Sequence, residues 1–294
     1  MAMDLIINFT PTGMIPTKES TPHVPISVSE IVDEVYAATQ IGISMVHLHA
    51  REQETGRPTH SAEVYGEIVE RIRKFDRELV ICVSLSGRNV KTFEERSAPL
   101  SLVGEQKPDM GSLTLSSLNF NKVESVNSPE IIRALAAEMK KRGILPELEV
   151  FDAGMINYAK YLIRKGLLAA PHYFNLLFGN IACAQADLLM AGLMERELPE
   201  NSWYSFAGIG DAQLKMNSIA VASGCGVRIG LEDNIWYDSS RTQLATNSEL
   251  LKRIHLLAEA NERSVMTSAN LRRCLNLQKG HGQYGRAAGD MEHL

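Results

Sequence analysis

Along this chain, short apolar runs alternate with amphipathic stretches eight times. The strand-like runs cover residues 5–10, 45–50, 79–86, 111–115, 145–152, 173–179, 202–208 and 226–233. Helix-forming segments lie between them. One near residues 29–40 follows Ser27 and Ser29, either of which suits its N-cap. Another opens at Ser128-Pro129-Glu130, with proline in its first turn, and stops at Gly143, a residue suited to a left-handed helix end. A third spans about 212–223, and the last long one opens with Thr246-Asn247-Ser248-Glu249, which has capping-box spacing. Strands alternating with helices predict βαβ units and a parallel sheet. Eight units in 294 residues suit one closed (β/α)8 TIM barrel, an α/β fold, better than two open sheets. A doubly wound sheet would more often carry a G-x-G-x-x-G turn after its first strand. Here the first strand runs into Thr10-Pro11-Thr12-Gly13 instead. The expected organisation is a single barrel domain over residues 1–277, followed by a polar, glycine-rich tail over 278–294 that is partly disordered.

Charge narrows the function. A net charge of −5, with no run of Lys or Arg, argues against a nucleic-acid partner. No apolar stretch approaches the roughly 20 residues a membrane span needs. The opening residues lack the basic start and long apolar core of a signal peptide, so a cytoplasmic protein is expected. Cys82, Cys183, Cys225 and Cys274 form no CxxC pair and are expected to be buried packing residues rather than disulfide partners.

Several strand ends carry residues suited to chemistry. In His47-Leu48-His49, residues i and i+2 face the same side of a strand. Both imidazoles then project at the C-terminal end of the second strand, where barrel active sites lie. Such a pair is the usual start of a zinc or iron site; the plainer alternative is two polar strand-end residues bonded to loops. In the eighth strand, Arg228, Gly230 and Glu232 share one face. If that face is inward, Glu232 completes a His₂Glu metal set, and Arg228 either pairs with Asp233 or grips a substrate carboxylate. The alternative is a structural ion pair. Ser84 and Ser86 end the third strand without a G-x-S-x-G elbow; they are substrate-binding hydroxyls or simple strand-end serines. Ser112, Thr114 and Ser116 give the fourth strand a polar face, unlike the branched apolar filling usual in barrels. Glu147 and Glu149 do the same in the fifth and require a facing cation. Phe206-Ala207-Gly208-Ile209-Gly210 precedes a helix, as either a plain turn or a phosphate cradle.

Together, HLHAR (47–51), SLSGRN (84–89), DMGSLTLSSLNF (109–120), PELEVFD (146–152) and GVRIGLEDN (226–234) resemble the β-keto acid cleavage enzymes. The resemblance runs from IINFTPTG, starting at Ile6, to the last helix. It implies a homotetrameric (β/α)8 barrel that binds zinc, or another divalent metal, through His47, His49 and Glu232. It implies Asp233, held by Arg228, as the catalytic base. Substrate-binding positions fall at Ser86 and Gly87, with Ser84 the rival; at Thr114 or Ser112; and at Glu149 or Glu147. The implied reaction joins a β-keto acid to acetyl-CoA and yields acetoacetate and a new acyl-CoA, with Ser86 and Thr114 bonding the oxyanion and the Gly208–Gly210 turn near the CoA phosphates. One departure stands out. Members carry an acid after the first-strand T-G that holds a substrate amine, whereas this chain has Met14-Ile15. That implies a substrate lacking the amine, with Lys18 a replacement favouring anions. The competing readings are a metal-dependent aldolase or hydrolase without CoA, and a non-catalytic binding barrel.

Overall fold

The computed structural model describes residues 4–278. Eight parallel strands close into a barrel: β1 (Ile7–Phe9), β2 (Met45–Leu48), β3 (Val80–Val83), β4 (Met110–Thr114), β5 (Leu145–Val150), β6 (His172–Phe178), β7 (Ser202–Gly208) and β8 (Gly226–Ile229). Each pairs with its neighbours in sequence, and β8 closes on β1 through Ile7–Val227, Asn8–Arg228 and Phe9–Ile229. Helices α1 (Val28–Ile41), α2 (Ala62–Phe75), α3 (Phe93–Ser97), α4 (Pro129–Arg142), α5 (Ala153–Arg164), α6 (Leu188–Arg196), α7 (Ala212–Ser223) and α8 (Asn247–Ala260) follow the strands in turn. The expected helix signals operate. Ser27 and Glu30 form a capping box on α1, Thr246 and Glu249 another on α8, and Gly143 ends α4 in the left-handed region. Among the described residues no helix is long and apolar enough to cross a membrane. The glycine-rich tail expected after residue 277 lies, but for Gln278, outside the described residues.

Strand alternation sorts the side chains. Ile7, Phe9, Val46, Leu48, Ile81, Val83, Leu113 and Leu148 join the main core between barrel and helices. The opposite set fills the interior in three layers. At the base, Ile6, Met45, Val80 and Met110 pack against Leu271 and Leu275, the latter one residue beyond a closing helix α9 (Ser268–Cys274). Arg272 of α9 latches this plug, donating to Asp109 Oδ1 and Oδ2 at 2.8 Å each, while Arg73 reaches Asp109 Oδ2 at 2.6 Å. The middle layer is polar, with Asn8, His47, Cys82, Glu147 and Asn175 buried in mutual contact. The upper layer opens into the candidate site.

Three expected boundaries move. β2 ends at Leu48, and Ala50–Arg51 instead starts a hairpin with Pro58–Thr59. β3 ends at Val83, so Ser84 and Ser86 belong to the loop above it. β8 ends at Ile229, because a Cβ on Gly230 would stand 2.0 Å from Thr10 O; the chain turns there instead of extending to Asp233.

Candidate active site

The histidines come together as their spacing predicts. His47 lies on β2 and His49 follows its last residue, with the two Nε2 atoms 3.2 Å apart. Below them, Glu147 Oε2 accepts from His47 Nδ1 at 2.5 Å, and Asn8 Nδ2 donates to Glu147 Oε1 at 2.7 Å. This contact fixes the ring so that Nε2 faces upward, the outer-shell arrangement typical of metal-bound histidine. It also separates the two fifth-strand acids: Glu147 supports His47 from below, whereas Glu149 faces the cavity. Burial alone would lower the His47 pKa, but the Glu147 and Glu232 carboxylates outweigh it and push it up to about 9. Burial keeps that of His49 low.

Glu232 reaches the pair from the turn after β8 rather than from a strand, placing Oε1 at 3.0 Å from His49 Nε2. Its backbone N–H bonds Thr10 O at 3.2 Å. Gly13, with φ +66°, lies so close that a Cβ there would stand 2.6 Å from Glu232 Cγ. Arg51, the last residue of HLHAR, fixes this loop by donating to Gly13 O from Nε at 3.0 Å and Nη2 at 2.7 Å.

A divalent cation suits these three residues. Ligand atoms of His47, His49 and Glu232 lie within 4.8 Å of one another, and Glu232 Oε2 is buried without a hydrogen-bond partner among the described residues. His47, Cys82 and Glu147 are equally close, but they already bond one another, and burial holds the Cys82 thiol protonated. Cys82 therefore belongs to the support of His47. Cys225 is also buried, Cys183 and Cys274 are half-buried, and all four cysteines are free.

Beside the donor set, Arg228 is buried among three acids. Its Nη2 donates to Glu232 at 2.7 Å, Nε to Asp233 at 3.0 Å and Nη1 to Glu149 at 3.3 Å. Burial and the Glu232 charge raise the Asp233 pKa, and Arg228 opposes them. Thr114 donates to Glu149 Oε2 at 2.7 Å, which commits its proton to that carboxylate. Ser112 accepts from Leu85 N at 3.0 Å and does not line the cavity, so Thr114 is the fourth-strand residue facing it.

These groups line a cavity of about 680 Å³ at the C-terminal mouth of the barrel, together with Ser84, Ser86 and Arg88. Gly87 does not line it. A Cβ there would meet Val126 O at 2.3 Å, so glycine lets the β3 loop close against the loop before α4. Arg96 ties the same loops, donating to Leu85 O and Asn127 Oδ1 at 2.8 Å each. Two expectations are corrected. Lys18 pairs with Glu30 at 2.7 Å and is not a cavity residue, whereas Ile15, 60% exposed, is one. The Gly208–Gly210 turn does not hold its N–H groups out for phosphate: those of Ile209 and Gly210 bond Phe178 O and Asp233 O. Its work is to carry Asp233.

Sequence reasoning passed over Arg88, although it stands in SLSGRN, and the polar middle layer. Asn8 alternates with Ile6 and Thr10 along the first strand, and that alternation is the signal for the layer.

A barrel with two histidines and two acids converging at its C-terminal mouth has the form of a metal-dependent enzyme site. Comparison narrows this. The sequence profile of the β-keto acid cleavage enzymes matches residues 4–277, and the chain belongs to that family. It is 34% identical over 281 residues to the 3-keto-5-aminohexanoate cleavage enzyme of Fusobacterium nucleatum, covering 95% of this chain and 100% of that one. It is 34% identical over 281 residues to the 3-oxoadipate:acetyl-CoA acetyltransferase of Cupriavidus necator, covering 94% and 96%. Among solved structures, apo ObcA superposes with a TM-score of 0.77 at 19% identity, covering 89% of this chain and 66% of that one; this likeness concerns the fold alone.

Proposed function

We propose that the chain is a metal-dependent acyltransferase that condenses a β-keto acid with acetyl-CoA and releases acetoacetate and a new acyl-CoA. The observation that carries the reading is the placing of Asp233, held by Arg228, beside the His47–His49–Glu232 donor set at the cavity floor. Relatives named for acetyl-CoA transfer and for cleavage of a keto acid support it. A divalent metal held by the three donors, zinc in this reading, would supply Lewis acidity to the keto and carboxylate oxygens.

The protein's own groups do the rest. Asp233 takes a proton from the carbon between the two carbonyls, and Arg228 keeps it ionised and aimed. That carbon attacks the acetyl thioester, the new C–C bond forms, and the CoA thiolate leaves. Ser86 accepts from Arg88 N at 3.4 Å, which leaves its own proton free for the developing oxyanion. Thr114, whose hydroxyl donates its hydrogen bond to Glu149, holds that acid instead, and the two form the facing wall. The thiolate then attacks the original keto carbon, the old C–C bond breaks, and acetoacetate recovers its proton from Asp233. The exposed Ile181, Leu188 and Leu189, on and just before α6, support an assembled homotetramer. A cytoplasmic location completes the reading.

The test is a screen of β-keto acids with and without acetyl-CoA. Acetoacetate should appear only with acetyl-CoA; release without it would establish a CoA-free aldolase or hydrolase. Asp233→Asn should keep its metal and lose turnover by at least about 100-fold. Near-normal rates would make another residue the base.

A further inference from the structure

Arg88 is a cavity cation that the mechanism leaves unused. It follows Ser86-Gly87 in the β3 loop, is half-buried, and lays its guanidinium 3.7 Å from the centre of the Phe120 ring. Its Nε is buried and bonds nothing among the described residues, and its guanidinium makes no ion pair there. The other two arginines lining the cavity are committed, Arg228 to three carboxylates and Arg241 to Asp211, and Arg51 beside them is spent on Gly13 O and Pro16 O. A desolvated guanidinium is costly unless it meets an anion. Stacking on Phe120 fixes its plane and leaves its edge to receive one.

Resting on the function proposed above, we propose that Arg88 is the specificity residue for a second carboxylate on the substrate, beyond the one beside the keto group. The preferred substrates are then β-keto dicarboxylates. The same cavity offers this cation and the aliphatic face of Ile15, along which methylene groups between the two carboxylates can lie. An ammonium tail would meet Arg88 and find no acid at Ile15.

The test compares 3-oxoadipate with 3-oxohexanoate, which differ only in the terminal carboxylate, by calorimetric titration of the zinc-loaded chain without acetyl-CoA. The dianion should bind at least about tenfold more tightly, the worth of one charge-assisted hydrogen bond. Arg88→Met should bring the ratio of the two dissociation constants close to one, and Arg88→Lys should keep part of it. Equal binding by the unaltered chain, or a ratio that survives Arg88→Met, overturns the proposal. So does a loss in Arg88→Met confined to the KM for acetyl-CoA, which would place Arg88 on the cosubstrate. Failure of acetoacetate release with either keto acid, while the binding preference stands, refutes the acyl-transfer reading and not this one.

Discussion

Replacing Arg228 by methionine isolates the electrostatics of the site. The side chain is 2% exposed, and its nearest contacts are Glu232 at 2.7 Å and Asp233 at 3.0 Å. Methionine keeps most of the apolar stem and deletes the charge. Each charge-assisted hydrogen bond contributes about 1.5–3 kcal/mol, so two strong ones give about 3–6 kcal/mol. Breaking a buried ion pair costs about 3–5 kcal/mol, in agreement. For 294 residues, at about 0.7 kcal/mol of unfolding enthalpy per residue, 1 kcal/mol moves Tm by about 1.6 °C. Arg228→Met should therefore melt about 5–8 °C below the unaltered chain. The measurement belongs in chelator, where no metal can compensate Glu232. Arg228→Lys keeps a charge but not the planar fork and should fall between the two. A melting temperature for Arg228→Met within 2 °C of the unaltered chain would refute the argument that this cation holds the three acids together.

Other predictions address the loop, the base of the barrel and the pH response. Gly13→Ala forces a side chain into the left-handed region, at about 1–2 kcal/mol, and drives a Cβ into Glu232. It should lower metal affinity, read by titration against a fluorescent chelator, while the barrel still folds; unchanged affinity would contradict the role given to Gly13. Asp109→Asn removes the carboxylate between Arg73 and Arg272 and should destabilise the chain by about 3–5 kcal/mol near neutral pH, measured by urea unfolding. Burial alone would raise the Asp109 pKa, but the two arginines outweigh it and hold it below the ordinary value. The stabilisation is thus complete above the unfolded pKa of about 3.9 and is lost as pH falls through the lower folded value. The gap between the unaltered chain and Asp109→Asn should accordingly close only in acid; closure above pH 5 would contradict this.

The barrel was legible because eight strand runs alternate with well-capped helices, and local signals such as Ser27–Glu30 and Gly143 match the tertiary fold. The histidine pair was legible because strand periodicity is local. Glu232 lies beside His49, but from a turn and not from an extended strand: the strand pattern ignores Gly230, where close approach to Thr10 O turns the chain. The choice between Glu147 and Glu149 needed the third dimension. Both point inward, and only their depth, beneath His47 or beside Arg228, separates them. Lys18 failed as a cavity cation because the α1 capping acid Glu30 claims it. Arg88 was overlooked because nothing in its local sequence shows Phe120, brought from the loop after β4, beneath its guanidinium.

The central claim is that His47, His49 and Glu232 hold one divalent metal. Elemental analysis of the purified chain and of His49→Ala, in parallel, tests it most directly. About one divalent ion per chain is expected in the first and essentially none in the second, with the barrel still folded by circular dichroism. Full metal content in folded His49→Ala would contradict it.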